Sequence, residues 1–389
     1  MEWWFHFPII FWCVTIFGLG LMIGSFLNVV IARLPYEKSL IWPSSRCFAC
    51  YQHIRFTDNV PILGYLRLRG RCRACGVPFS ARYLWVEVGT GVAFLTLFLA
   101  EVVFNWHGIP GMKYNYLGPD EAYPPLRCWA LFGYHAILLC GLIAAAAIDA
   151  EHRIIPAQIT YAVMVVGVIG GALMPWPWPQ PANAVNAIPA GLPWFLEETV
   201  GKIPTGVQPW PFWGPTLNFA PAGSIKLGLL NSVIGALVGS IVVRATKWFF
   251  ETGFGREALG LGDADLLMMA GAFLGWQIPV VSLFVGSVAA LVLILTGRLL
   301  AGKGAPTPST PTGTPVSGPA QPRELPFGPG LAIGVLITWF AWPWLGRRLQ
   351  FPFFDTTTML ILVAFMGLGI LALALFMRRP AETAPTTAK

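Results

Sequence analysis

The chain has 389 residues, 56% of them hydrophobic and only 11% charged, with 17 Trp, 27 Phe and 34 Pro. Soluble domains carry about 25% charged residues, so a soluble cytosolic enzyme, a disordered chain and a disulfide-rich secreted module are excluded. The net charge of +7 fits the basic cytoplasmic loops of a membrane protein, and no basic-aromatic module for nucleic acid accompanies it.

A bilayer core takes about 20 apolar residues per helix. The first run, 7–31, lacks a basic leader region and is followed by basic residues, so it is expected to be a retained span and not a cleaved signal. Further runs lie at 83–104, 129–148, 159–174 and 227–243. The stretch 266–296 is too long for one span, and Gln277 and Pro279 divide it into two short helices joined by a tight turn. Runs at 331–344 and 358–376 complete the set. The expected fold class is an all-α polytopic membrane protein of about eight to nine transmembrane helices.

Lys and Arg set the orientation. The segment after the first span holds Arg33, Lys38, Arg46, Arg55, Arg67, Arg69, Arg71, Arg73 and Arg82 against Glu37 and Asp58. It is expected in the cytoplasm, with the N-terminus in the periplasm. Alternation then places 149–153 inside, 175–224 outside and the loop of Arg244, Lys247 and Arg256 inside; Arg347 and Arg348 fall outside, against the rule.

These boundaries divide the chain into a first helix (1–32), a cytoplasmic module (33–82) and a membrane core (83–302) with a Pro/Trp-rich external loop (175–224). A Pro-rich linker (303–326), C-terminal helices (327–377) and a disordered tail (378–389) follow.

Four of the seven cysteines form two C-x-x-C knuckles, Cys47/Cys50 and Cys72/Cys75, with 21 residues between them. Each knuckle presents two thiolates to one edge of a tetrahedron, which is the pattern of a structural zinc site. A reducing compartment disfavours disulfides there; a redox role for either pair is the alternative. About 50 residues build little core, and a bound metal would supply what burial cannot. Cys13, Cys128 and Cys140 lie in or beside apolar runs as small hydrophobes.

Ionisable groups within spans are costly and default to function. Two acids stand out at such places. Asp149 ends the run Leu142–Ile148, and Asp263 sits in Gly260-Leu261-Gly262-Asp263 at the start of the next long apolar stretch. The topology puts both at the cytoplasmic mouth, where they can face one another. Two close carboxylates cannot both ionise, so one can activate water while the other donates a proton. Gly260 and Gly262 would let a backbone approach Asp263. Asp265 is read as a supporting or solvated acid, since i and i+2 side chains do not share a helix face. Glu151 and Glu257 are surface charges able to attract a basic peptide.

The motifs occur in a telling order. Gly24-Ser25-Phe26-Leu27-Asn28-Val29-Val30 and Arg33-Leu34-Pro35 precede the knuckles, with Asn59-Val60-Pro61-Ile62-Leu63 and Leu68-Arg69-Gly70-Arg71 between them. Arg82-Tyr83 and Glu87 follow, then Ile148-Asp149, Ile155-Pro156 and Thr160. Glu257 to Asp263, Gly271 to Trp276 and Pro326-Phe327-Gly328-Pro329 close the series. This set resembles the type IV prepilin peptidases, bifunctional leader peptidases and N-methyltransferases of bacterial inner membranes.

The resemblance implies removal of the basic leader from prepilins or pseudopilins at the cytoplasmic face, with Asp149 and Asp263 as catalytic aspartates. It implies methylation of the new N-terminus from S-adenosylmethionine, an activity associated with the cytoplasmic module. It also implies Cys47, Cys50, Cys72 and Cys75 as zinc ligands, and places Glu87 as an acid beside that module, a candidate for a role in methylation. The expected partners are these substrates and the lipid bilayer.

The sequence departs from the family in four places. Asp265 stands where a Lys is usual, the loop 175–224 is long, the linker 303–326 splits the late helices, and a span is added near 358–376. Alternative readings are a peptidase with a purely structural zinc module, a proton-coupled transporter using the paired aspartates, and a non-catalytic scaffold.

Overall fold

The computed structural model describes residues 3–107, 123–174, 224–254, 260–301, 327–349 and 356–377, with residues 109, 114, 207–208, 214–215 and 219–220 besides. The linker 303–326, the tail 378–389, Glu257 and nearly all of the loop 175–224 lie outside the described residues. Within that loop one short antiparallel pair is described, β1 (Val207–Gln208) on β2 (Gly214–Pro215).

The architecture is helical, as the composition requires. The helices are α1 (Trp3–Arg33), α2 (Leu63–Arg67), α3 (Arg82–Phe98), α4 (Leu126–His152) and α5 (Ala157–Leu173). Beyond the loop come α6 (Ile225–Phe254), α7 (Leu261–Leu274), α8 (Gln277–Ala301), α9 (Gly328–Arg348) and α10 (Thr356–Met377). Six helical stretches among the described residues have the length and apolarity to cross a membrane: Phe7–Tyr36, Arg82–Val103, Leu126–His152, Ile225–Thr252, Gln277–Gly297 and Gly328–Gly346.

The sequence leads to an expectation of eight to nine spans. At about 1.5 Å per residue, α5 and α7 reach only ~25 Å and ~21 Å against a core of about 30 Å, whereas α10 has 22 residues. The stretch 266–296 does divide in two, but the break comes at Gly275, which adopts φ +79°, ahead of Gln277 and Pro279. Pro279 instead lies in the first turn of α8, where its missing N–H leaves no bond unmade. The second of the two helices is also long, at 25 residues.

The helices pair as α1 on α3, α6 on α7 and α8 on α9, with α4 meeting α3, α5, α7 and α9 near the centre. Phe94, Phe98, Leu131, Leu138, Leu266 and Trp339 are fully enclosed in this core. Lipid tails are as apolar as Leu, so membrane helices associate through close packing at small residues. Each of the three pairs has such a contact. A methyl on Gly271 would lie 2.0 Å from the carbonyl oxygen of Gly235, and the reverse holds equally. Gly20 backs onto Gly91, and Gly334 onto Gly286.

The two aspartates are not the only buried ionisable side chains. Glu101 and His135 are both almost wholly enclosed, and His135 Nδ1 lies 2.5 Å from Glu101 Oε1. Glu101 sits in a π-helical turn, Leu99–Val103, that continues α3. Removing one partner of such a pair strands a buried polar group.

The glycine contacts give a direct test. Gly271→Ala should lower the unfolding temperature of the purified protein by about 3–10 °C, the cost of overpacking. Gly89→Ala, whose new methyl meets nothing within 4 Å, should leave it unchanged or raise it, because Ala favours helix.

Candidate active site

Asp149 lies in the last turns of α4. The helix closes at Arg153, which adopts φ +57° and donates its N–H to the Asp149 carbonyl. The chain then turns through Ile155 and Pro156 into α5. Asp263 occupies the first turn of α7, and its carboxylate accepts the N–H of Gly260, the N-cap residue. An acid at the third helical position reaching back to the cap is a recurrent way to satisfy an orphan donor. Both aspartates are 7% exposed.

Gly262 joins the two segments. A methyl there would lie 2.8 Å from Cβ of Ile155, so the start of α7 rests directly on the turn that follows Asp149. The two carboxylates are near enough for the charge of Asp149 to act on Asp263. The structure thus brings together the two acids that the topology placed at one mouth. It gives Gly262 a packing role and sets Gly260 beside Asp263 itself, where a methyl on Gly260 would lie 3.7 Å from the Asp263 Oδ2.

A third element completes the mouth. The N–H of Gly328, at the start of α9, donates to Asp149 Oδ2 at 2.9 Å. A methyl on Gly328 would lie 2.7 Å from that same oxygen. Sequence reasoning assigned Gly328 no part in the site. The available signal was Gly328-Pro329 opening a helix, a sequence that places bare N–H groups at a helix start.

Asp265 points elsewhere. Its Oδ1 lies 3.6 Å from the Arg244 guanidinium of α6, so a cation from a neighbouring helix offsets its charge. Glu151, two residues past Asp149, pairs with Arg82 at the start of α3, and His152 stacks edge-on against Tyr36 at 5.5 Å. These contacts dock the four-cysteine module beside the aspartates.

In that module the four thiol sulfurs lie within 4.8 Å of one another. Cys47 and Cys75 are 3.8 Å apart, and Cys50 and Cys72 are 3.9 Å apart. A zinc tetrahedron with Zn–S of about 2.3 Å has an edge of about 3.8 Å, so the arrangement fits that ion. The knuckles are near copies of one another. Cys47 takes the carbonyl of Gln52 and Cys72 that of Val77, while Tyr51 and Gly76 return to the carbonyls of Cys47 and Cys72. Tyr51 and Gly76 both adopt left-handed backbone, at φ +57° and +72°. The N–H groups of Cys75 and Ala74 hold the Cys72 thiol down to about 6, while the Cys75 thiol among its sulfur neighbours is pushed up to about 11. Between the knuckles Asp58 accepts from Arg73, which keeps its carboxyl below the usual range.

Glu87 stands apart from the aspartates. Its Oε2 accepts the N–H of Ile62 at 2.8 Å, across the seam between α3 and the module.

Comparison with known proteins accords with this geometry. Residues 18–101 match the bacterial peptidase A24 N-terminal domain, and residues 210–295 match the type IV leader peptidase family. The prepilin leader peptidase/N-methyltransferase of Klebsiella pneumoniae is 32% identical over 285 residues, 72% of this chain and 92% of that protein. The chain belongs to the type IV leader peptidase family. The Dickeya chrysanthemi protein of the same name is also 32% identical, over 68% of this chain and 76% of its own. In the Myxococcus xanthus protein, again 32% identical, the match spans 73% of this chain but only 64% of that relative. No solved structure matches. Within the leader peptidase family matches, the cysteines and Glu87 fall in the first segment and Asp263 in the second; Asp149 lies between them.

The cysteine geometry makes a measurable statement. Elemental analysis of the purified protein should give one zinc per chain. A cobalt-substituted sample should show the visible bands of a tetrahedral thiolate site, and Cys50→Ser should lose both signals.

Proposed function

We propose that this chain is a membrane-embedded aspartic endopeptidase that removes the leader of type IV prepilins or pseudopilins and methylates the new N-terminus. The observation that carries the first activity is the convergence of Asp149, Asp263 and the Gly328 N–H at one mouth of the helix bundle. Proximity of like charges leaves one carboxylate protonated. The ionised one takes a proton from water as that water attacks the scissile carbonyl. The protonated one delivers its proton to the leaving nitrogen as the C–N bond breaks. The Gly328 N–H fixes one oxygen of Asp149, so the carboxylate cannot rotate out of register.

Position separates this reading from proton-coupled transport. A relay needs carboxylates near the bilayer midplane on broken helices. Here Asp149 lies at the end of one helix and Asp263 in the first turn of another. That suits a peptide cut at the membrane surface, with its hydrophobic segment in the bilayer and its basic leader in the cytoplasm. The basic residues between 33 and 82 support an orientation with the module and the aspartates on the inner face of a bacterial inner membrane.

The thiolates fit a structural zinc, whose four positions are all filled by protein and which shapes the module without reacting. The second activity takes its methyl from S-adenosylmethionine, which supplies a methyl group on a positively charged sulfur.

Co-expression with a prepilin carrying a basic leader tests the proposal, with the substrate's N-terminus read by mass spectrometry. Wild type should yield a product lacking the leader and heavier by one methyl group. Asp149→Asn and Asp263→Asn should yield none, and processing that survives both would sink the mechanism. Gly328→Ala, which displaces the Asp149 carboxylate, should slow cleavage by about 10–100-fold. A trimmed but unmethylated product would leave the peptidase alone standing.

A further inference from the structure

Among the described residues, a partly polar recess lies away from the aspartates, where the four-cysteine module sits on α1 and α3. It encloses about 240 Å³, close to the lower bound of about 300 Å³ usual for small-molecule sites. The module supplies the larger part of its wall, and α1 and α3 supply the rest.

Three observations mark it as a built site. Asn28 of α1 is 5% exposed. Its Nδ2 donates to the Tyr83 carbonyl at 2.9 Å, while its Oδ1 is buried with no hydrogen-bond partner. A buried acceptor left unpaired is costly, and a ligand donor would relieve it. Glu87 of α3 supplies a carboxylate to the same recess. The Ile62 N–H bound by that carboxylate belongs to a β-branched residue at φ +61°, a strained backbone of the kind that persists at functional sites. The bond pins Asn59 and Val60 over the recess.

The remaining wall has matching chemistry. Tyr65, Phe79 and Phe48 offer aromatic faces, and Arg46 offers a cation. A purine, a positively charged sulfur, an ammonium and a carboxylate on one small molecule would each find a partner there.

We propose that this seam is the binding site of the S-adenosylmethionine methyl donor, with Asn28 and Glu87 of the membrane helices as its polar anchors. The inference rests on the methylating half of the proposed function. It adds that the site is shared: neither the zinc module nor the helix bundle holds the donor alone. Arg82, beside Tyr83 in the wall, pairs with Glu151 beside Asp149. The donor site and the cleavage site therefore lie on one end of the bundle, joined by an ion pair.

The test uses the full-length protein in nanodiscs with S-adenosylmethionine and no peptide. Wild type should bind the donor by titration calorimetry. Asn28→Leu and Glu87→Gln should each weaken binding at least about tenfold, the loss of one buried polar partner. Zinc content and unfolding temperature identify folded variants. Ultraviolet irradiation of wild type with methyl-labelled donor should tag peptides within residues 45–87, a readout independent of any variant. Unchanged binding in both folded variants, or label confined to α6–α9, overturns the site alone. A wild type that trims leaders yet binds no donor overturns the site and the methylating function together.

Discussion

Gly235 and Gly271 bring α6 and α7 so close that neither position has room for a methyl group. In a bilayer this contact replaces the hydrophobic drive that packs soluble helices. Its consequence is felt at the start of α7. With the helix axis fixed against α6, Gly262 can press on Ile155, and Asp263 then has one place to go, the mouth where Asp149 ends its helix. The second edge of that mouth is set in the same way. Gly334 on Gly286 locks α9 against α8, and the Gly328 N–H at the start of α9 then meets Asp149. The geometry of the paired aspartates is thus a product of helix approach distances.

Charge arrangement follows from this frame. Asp265 replaces the Lys expected in this family, which would leave two acids unopposed near the mouth. Arg244 of α6 stands across from Asp265, so a cation on a neighbouring helix opposes that acid. The Arg82–Glu151 pair works at a larger scale. It ties the root of α3 to the end of α4, so that the four-cysteine module is coupled to α4.

The fold was largely legible because hydropathy is a local property. Runs of apolar residues gave the helices, and α4, α5 and α10 begin and end within a few residues of their runs. The knuckles were legible because a metal demands fixed spacing within each pair. What escaped depends on contacts far apart in the chain. Gly328 meets Asp149 across 179 residues, and no local pattern announces that. Glu101 and His135 were overlooked within otherwise apolar runs, and only their pairing across α3 and α4 explains why each is tolerated. The glycines were opaque for a different reason. Gly89 and Gly91 are two residues apart on one helix, yet a methyl meets nothing at the first and collides with Phe17 and Leu21 at the second.

The module between residues 34 and 81 shows why a metal belongs there. Only Cys47, Gly64 and Gly70 in that stretch are buried, and two of those are glycines that bury no side chain. Four non-glycine residues of the stretch, Glu37, Tyr51, Ile62 and Arg69, adopt positive φ, a conformation that costs each of them of the order of 1 kcal/mol. A segment with strained turns and almost no core cannot hold its shape by burial. Four thiolates closing on one ion can, because binding free energy is then folding free energy. A zinc held there would maintain the strained turn at Ile62, which presents its N–H to Glu87. Such a metal would act on the membrane helices at a distance, through a backbone amide that the folded module places over α3.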